Sequence, residues 1–223
     1  MPQISRDNDP YAEIEDFIRD TWFDLKDEFK LNKFPVKPQI YLATEASIIK
    51  NALKQFGTDM EFEKLPVASI IHFIDRTMSL RDHIASTYYE LSTERRKRPE
   101  VKEVRVTLLV NSLLHMTMLN LHQMNVFKKY LEHVIRHEVG HILTTFDIPK
   151  KYTTYLNYWK ATSCDRAAKK KWRKEKEECE MDNEEQVRFY YSIPSEKEAN
   201  DRVGITIEEI IEFDKIILTP SYK

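Results

Sequence analysis

Ile135-Arg136-His137-Glu138-Val139-Gly140-His141-Ile142-Leu143 combines a His-Glu-x-x-His spacing with an apolar repeat of helical period. Val126, Phe127, Tyr130, Leu131, Val134, Ile135 and Ile142 recur at intervals of three and four, which predicts a helix from about Gln123 to Thr145, with Pro149 shortly beyond it. Residues four apart lie one turn above each other on the same helix face, so His137 and His141 can aim their imidazoles at a single ion. Glu138 follows the first histidine by about 100° around the axis, beside the pair. Gly140 is one of three glycines in the chain. A glycine inside a helix costs about 1 kcal/mol relative to alanine, so it signals close approach by another backbone or by a ligand.

This arrangement points to zinc. Two histidines make half of a tetrahedral site, and a zinc ion lowers the pKa of a water toward about 7. Glu138 can take that water's proton and pass it to a leaving amine. The chemistry predicted is hydrolysis of a peptide bond, with protein or peptide as substrate. A catalytic zinc needs a third protein ligand. Glu198, in Ser195-Glu196-Lys197-Glu198-Ala199-Asn200-Asp201, can supply it from a second helix or can close a capping box with Ser195. His133 stands one turn before His137, and three successive turns of a straight helix do not converge on one ion. Asp147 and Asp201 read either as residues that orient a ligand histidine or as ordinary surface carboxylates. Tyr190 and Tyr191 read as packing residues, or as a source of one hydroxyl for a developing oxyanion.

Around the motif the pattern alternates. Asp9 and Pro10 open a helix whose apolar face is Ile14, Phe17, Ile18, Trp22, Leu25 and Phe29. Gln39 to Leu42 reads as a short strand, and Thr44 to Gln55 as a helix stopped by Gly57. Val67 to Ile74 is an apolar run with no clear period. Ser79 to Thr93 reads as a helix with Arg95 to Arg98 at its basic end. Val104, Val106, Leu108 and Val110 alternate as in a half-buried strand. Leu113 to Leu121 fits either strand or helix. Asp165 to Glu185 is nearly all charged, basic then acidic, the mark of a self-paired solvated helix. Thr206 with Glu209 makes a capping box for a last helix.

With 223 residues, 41% of them hydrophobic, the chain can bury one substantial core. Its 35 basic and 37 acidic side chains nearly cancel, which points away from nucleic acid and anionic membrane as partners. The N-terminus lacks the apolar run of a signal peptide and no stretch of about 18 apolar residues occurs, so a cytoplasmic chain is expected. Cys164 and Cys179 read as free thiols, the alternative being one disulfide.

Two segments together resemble the ImmA/IrrE-type metallopeptidases, a gluzincin-like branch of the HExxH zincins: Ile135 to Leu143, and the Glu-x-Glu-Ala-Asn of Glu196 to Asn200. Arg202 and Val203 stand where that family often has an aromatic-alanine pair, and the charged stretch lengthens the interval between the motifs. The resemblance implies that His137, His141 and Glu198 are the zinc ligands, that Glu138 is the catalytic base, and that the substrate is a transcriptional regulator. The fold expected is α+β: one zincin-like domain over residues 1–223, a small mixed sheet packed on the motif helix. It would have an N-terminal helical region at about 9–98 and a charged helical insertion at about 160–192. The competing expectations are a non-catalytic zinc-binding regulatory protein on the same core, and a structural protein in which the motif is accidental.

Overall fold

The computed structural model describes residues 10–43, 84–177 and 183–217. Within them the fold is α+β, mostly helical, with one three-stranded sheet. The strands are β1 (Gln39–Ala43), β2 (Ala85–Leu91) and β3 (Val101–Leu109). The helices are α1 (Pro10–Glu28), α2 (Val110–Leu119), α3 (Met124–Lys151), α4 (Tyr155–Ala161), α5 (Ser163–Glu177), α6 (Asn183–Ser192), α7 (Pro194–Val203) and α8 (Ile207–Ile217). None of the described helices is long and apolar enough to cross a membrane.

The sheet order is β1-β3-β2, with β1 parallel to β3 and β2 antiparallel to it. β3 owes its central place to its alternation. Val104, Val106 and Leu108 are buried on one face, each contributing about 1.5–3 kcal/mol by leaving water. They pack with Ile14, Ile18, Trp22 and Leu25 of α1 and with Phe127, Leu131, Ile135 and Ile142 of α3 in one core.

Several segments differ from their sequence expectation. The expected helix over Ser79 to Thr93 is, from Ala85 to Leu91, strand β2; the segment Thr87-Tyr88-Tyr89 is β-branched and aromatic, and pairs with Val104 to Val106 of β3. The expected N-terminal helical region therefore holds two strands. Arg95 to Arg98 do not end a helix: they lie in the connection between β2 and β3. There the carbonyls of Arg95 and Lys97 accept the amide hydrogens of Leu156 and Tyr155 at the start of α4. The motif helix runs six residues past Thr145 and includes Pro149 in its last turns. Leu113 to Leu121 is resolved as helix over most of its length, in α2. The strand expected from Gln39, the first helix and the capping box of Thr206 with Glu209 are all present. The expected Thr44 to Gln55 helix and the Val67 to Ile74 run lie outside the described residues.

Candidate metal centre

α3 and α7 meet backbone to backbone at Gly140 and Ala199. A Cβ on Gly140 would sit 2.1 Å from the carbonyl oxygen of Ala199, and the next nearest atoms are also Ala199 backbone. The close approach expected at Gly140 is therefore that of another backbone. α7 turns Glu196, Ala199, Asn200 and Val203 toward α3, a stripe spaced i, i+3, i+4, i+7, and all four are buried.

This crossing brings Glu196 against the two histidines. Its Oε2 lies 3.0 Å from His141 Nε2 and 3.2 Å from His137 Nε2, and the two Nε2 atoms are 3.1 Å apart. Among the described residues, His137, His141 and Glu196 form a group able to hold a metal ion. Glu198, two residues on, is turned about 200° away around the helix. It is 40% exposed and pairs with Lys151 and Arg202. The structure thus brings Glu196, and not Glu198, to the histidines. Nor does Glu198 cap its helix with Ser195, because the N-cap is Ile193. Ser195 instead receives its cap from α5, where Asp165 Oδ1 accepts the Ser195 amide hydrogen at 2.9 Å and Oδ2 its hydroxyl at 3.0 Å.

The donor set suits a divalent cation. Asn200 Oδ1, an acceptor only, faces His137 Nδ1 at 2.6 Å, so Nδ1 carries the hydrogen and Nε2 of the neutral ring presents its lone pair. Asn200 Nδ2 is buried with no hydrogen-bond partner, a cost borne at the position that orients His137. His137 Nε2 and Glu196 Oε2 are then two acceptors facing each other at 3.2 Å in a centre that is 1% exposed at Glu196, an arrangement that repels itself unless a proton or a metal ion sits beside them. Without metal, burial opposes a charge on His137, but Glu196, Glu138 and Asn200 outweigh it and raise its pKa. Burial opposes the Glu196 carboxylate as well. The histidines and Lys169 prevail and hold its pKa well below the usual range.

Glu138 sits beside this group rather than in it. Thr87 Oγ1, on β2, donates to Glu138 Oε2 at 2.6 Å and lies 3.1 Å from the Glu138 carbonyl oxygen. The sequence does not single out Thr87, whose segment carries a helix-like pattern. Tyr190, on α6, is half-buried near Glu196 and Glu138; desolvation, the charge of Glu196, Tyr191, the charge of Glu138 and a hydrogen bond with Glu196 together push its pKa well up, so it stays protonated. Tyr191 packs edge-on against His137, with centroids 5.5 Å apart. His133 turns elsewhere, its Nδ1 3.2 Å from Lys129 O and its ring against Phe213. Asp147 pairs with Lys150 and Arg202, and Asp201 is exposed, so neither touches a site histidine among the described residues. His122 is exposed, and Cys164 is free and exposed.

His137, His141, Glu196, Glu138, Thr87 and Tyr190 line a cleft of about 1840 Å³ between β2 and α3 through α8. β2 forms one wall and α4, with Tyr158 and Trp159, continues it; the Tyr89 and Tyr158 hydroxyls meet at 2.8 Å. The chain matches no family model, no curated protein and no solved structure.

Proposed function

We propose that the chain is a zinc-dependent endopeptidase with a zincin-like core, in which His137, His141 and Glu196 hold the metal and Glu138 is the general base. The observation that carries the reading is the convergence of two imidazole nitrogens and one buried carboxylate oxygen within 3.2 Å, with a second carboxylate beside them. Zinc in such a His₂Glu set supplies Lewis acidity, which acidifies water and polarises a carbonyl.

The chain's own residues do the remainder. Thr87 fixes one oxygen of Glu138, leaving the other to accept a proton from the attacking water and return it to the departing amine nitrogen. Tyr190, kept protonated by its surroundings, turns its one hydroxyl hydrogen from Glu196 to the carbonyl oxygen as that oxygen gains negative charge. An extended peptide fits the cleft by adding to β2, which is an edge strand of the described sheet. That mode of binding favours a peptide over a compact small molecule. The motif helix under a small mixed sheet, with a carboxylate from a later helix, is also what the resemblance to ImmA/IrrE-type enzymes implies, with Glu196 in place of Glu198.

The test is metal analysis of protein purified without chelator, with peptide-library digestion by wild type and Glu138→Gln. Both proteins should carry one zinc per chain, and only wild type should cut. Wild type that neither contains nor takes up stoichiometric metal refutes the reading. Zinc without cleavage by wild type would favour a non-catalytic zinc-binding module.

A further inference from the structure

The charged segment from Asp165 onward reads as a solvated helix, yet α5 turns one stripe inward. Asp165, Lys169 and Trp172 are spaced i, i+4, i+7 and meet three parts of the site. Asp165 caps α7 through Ser195. Trp172 is buried and packs on Tyr190 at 4.8 Å between centroids. Lys169 Nζ lies 2.7 Å from Glu196 Oε1 and 3.7 Å from Asp165 Oδ2.

Glu196 thereby has different partners at its two oxygens, and Tyr190 hydrogen-bonds to the same carboxylate. Its Oε2 faces both histidines, while its Oε1 is engaged by an ammonium and approached by the Ser195 hydroxyl at 3.3 Å. A carboxylate can bind a cation through one oxygen or through both, and the difference fixes how many positions remain for water and substrate. A charge-assisted hydrogen bond to a carboxylate that is 1% exposed is worth more than a surface pair, since solvent does not compete for that oxygen.

We propose that Lys169 is a positioning residue of the metal centre: by holding Glu196 Oε1 it restricts this ligand to its single oxygen Oε2, and so keeps a coordination position open. The charged insertion is then a working part of the site. This inference rests on the zinc-site reading above, and its test separates the two.

Metal-free wild type, Lys169→Met and Lys169→Arg are each loaded with Co²⁺, with bound metal quantified and the visible d–d spectrum recorded. Wild type should give the intense bands of a low-coordinate site. Lys169→Met should bind one cobalt per chain with a loss of d–d intensity and a shift of the bands, as the freed oxygen joins the metal and raises the coordination number. Lys169→Arg, which restores a cationic donor, should return the wild-type spectrum; a side chain that merely packed would be replaced as well by methionine. If Lys169→Met does not fold, as judged by circular dichroism, Lys169→Leu, which also lacks a donor, takes its place with the same expected and refuting results. A wild-type spectrum from the uncharged variant at equal occupancy overturns the assignment of Lys169 alone. Failure of wild type to take up cobalt or zinc overturns the metal site and this inference together.

Discussion

Gly140→Ala adds one methyl group at the point where α3 and α7 touch. The new Cβ would lie 2.1 Å from Ala199 O, 2.7 Å from its carbonyl carbon and 2.9 Å from its Cα, where ordinary contact begins at 3.4 Å. Every obstructing atom is backbone, so no rotamer change relieves the overlap, and α7 must retreat by about 1 Å. Alanine returns about 1 kcal/mol of helix propensity, and overpacking costs about 1–3 kcal/mol, so the net loss of stability expected is between about 0 and 2 kcal/mol. With a metal held as proposed, the effect on its affinity should exceed the effect on stability. Glu196 and Asn200 flank Ala199 on the displaced helix, one facing both histidines and the other orienting His137. Moving groups of this kind typically weakens metal affinity by about 10–100-fold. Urea denaturation of the metal-free protein gives the first quantity, and zinc competition against a chromogenic chelator the second. A variant as stable as wild type with unchanged zinc affinity would refute the claim that this contact sets the geometry of the centre.

The two glutamates of α7 separate cleanly by substitution. Glu196→Ala should abolish stoichiometric zinc binding, whereas Glu198→Ala, whose ion pairs with Lys151 and Arg202 are exposed, should leave zinc affinity unchanged and cost less than about 0.5 kcal/mol; the reverse outcome in the chelator assay would return the ligand role to Glu198. Zinc bound as proposed has to displace a proton from His137, whose metal-free pKa is raised above 6.5, so apparent affinity should fall about tenfold per pH unit below that raised value, in titrations spanning about pH 5.5 to 8. The sign reverses for stability without metal. The contribution of His137 is fully present below 6.5 and is lost as pH rises through its raised folded value, so the metal-free protein should weaken toward alkaline pH over that range in thermal melts, and zinc should remove the trend.

The parts of the site that lie on one regular element were readable from the chain. His137, Glu138, Gly140 and His141 share a helix whose apolar period is strong, and a helix fixes its own angular relations. Glu196 is missed because the motif resemblance points to Glu198, and two glutamates spaced two apart lie on opposite faces of a helix. The signal was nonetheless present: Ala199 and Val203 mark the apolar stripe of α7, and Glu196 with Asn200 completes it at i, i+3, i+4, i+7. Thr87 was hidden because Ser79 to Thr93 has enough long side chains to pass for a helix. Its strand character comes from pairing with β3, which is a non-local contact. Lys169 was hidden by composition, since a charge run gives no hint that one of its cations faces inward.

That inward stripe makes α5 tolerant of one kind of change and intolerant of another. Lys170, Lys171 and Lys174 are exposed, so the outer face can be recharged or neutralised without touching Glu196. Residue count is a different matter. Inserting or deleting a single position between Asp165 and Lys169 would turn one of them about 100° away from the other, uncapping α7 or releasing Oε1 of Glu196. The helix is therefore written in two scripts, a free one in charge on its outer face and a fixed one in length along its inner face.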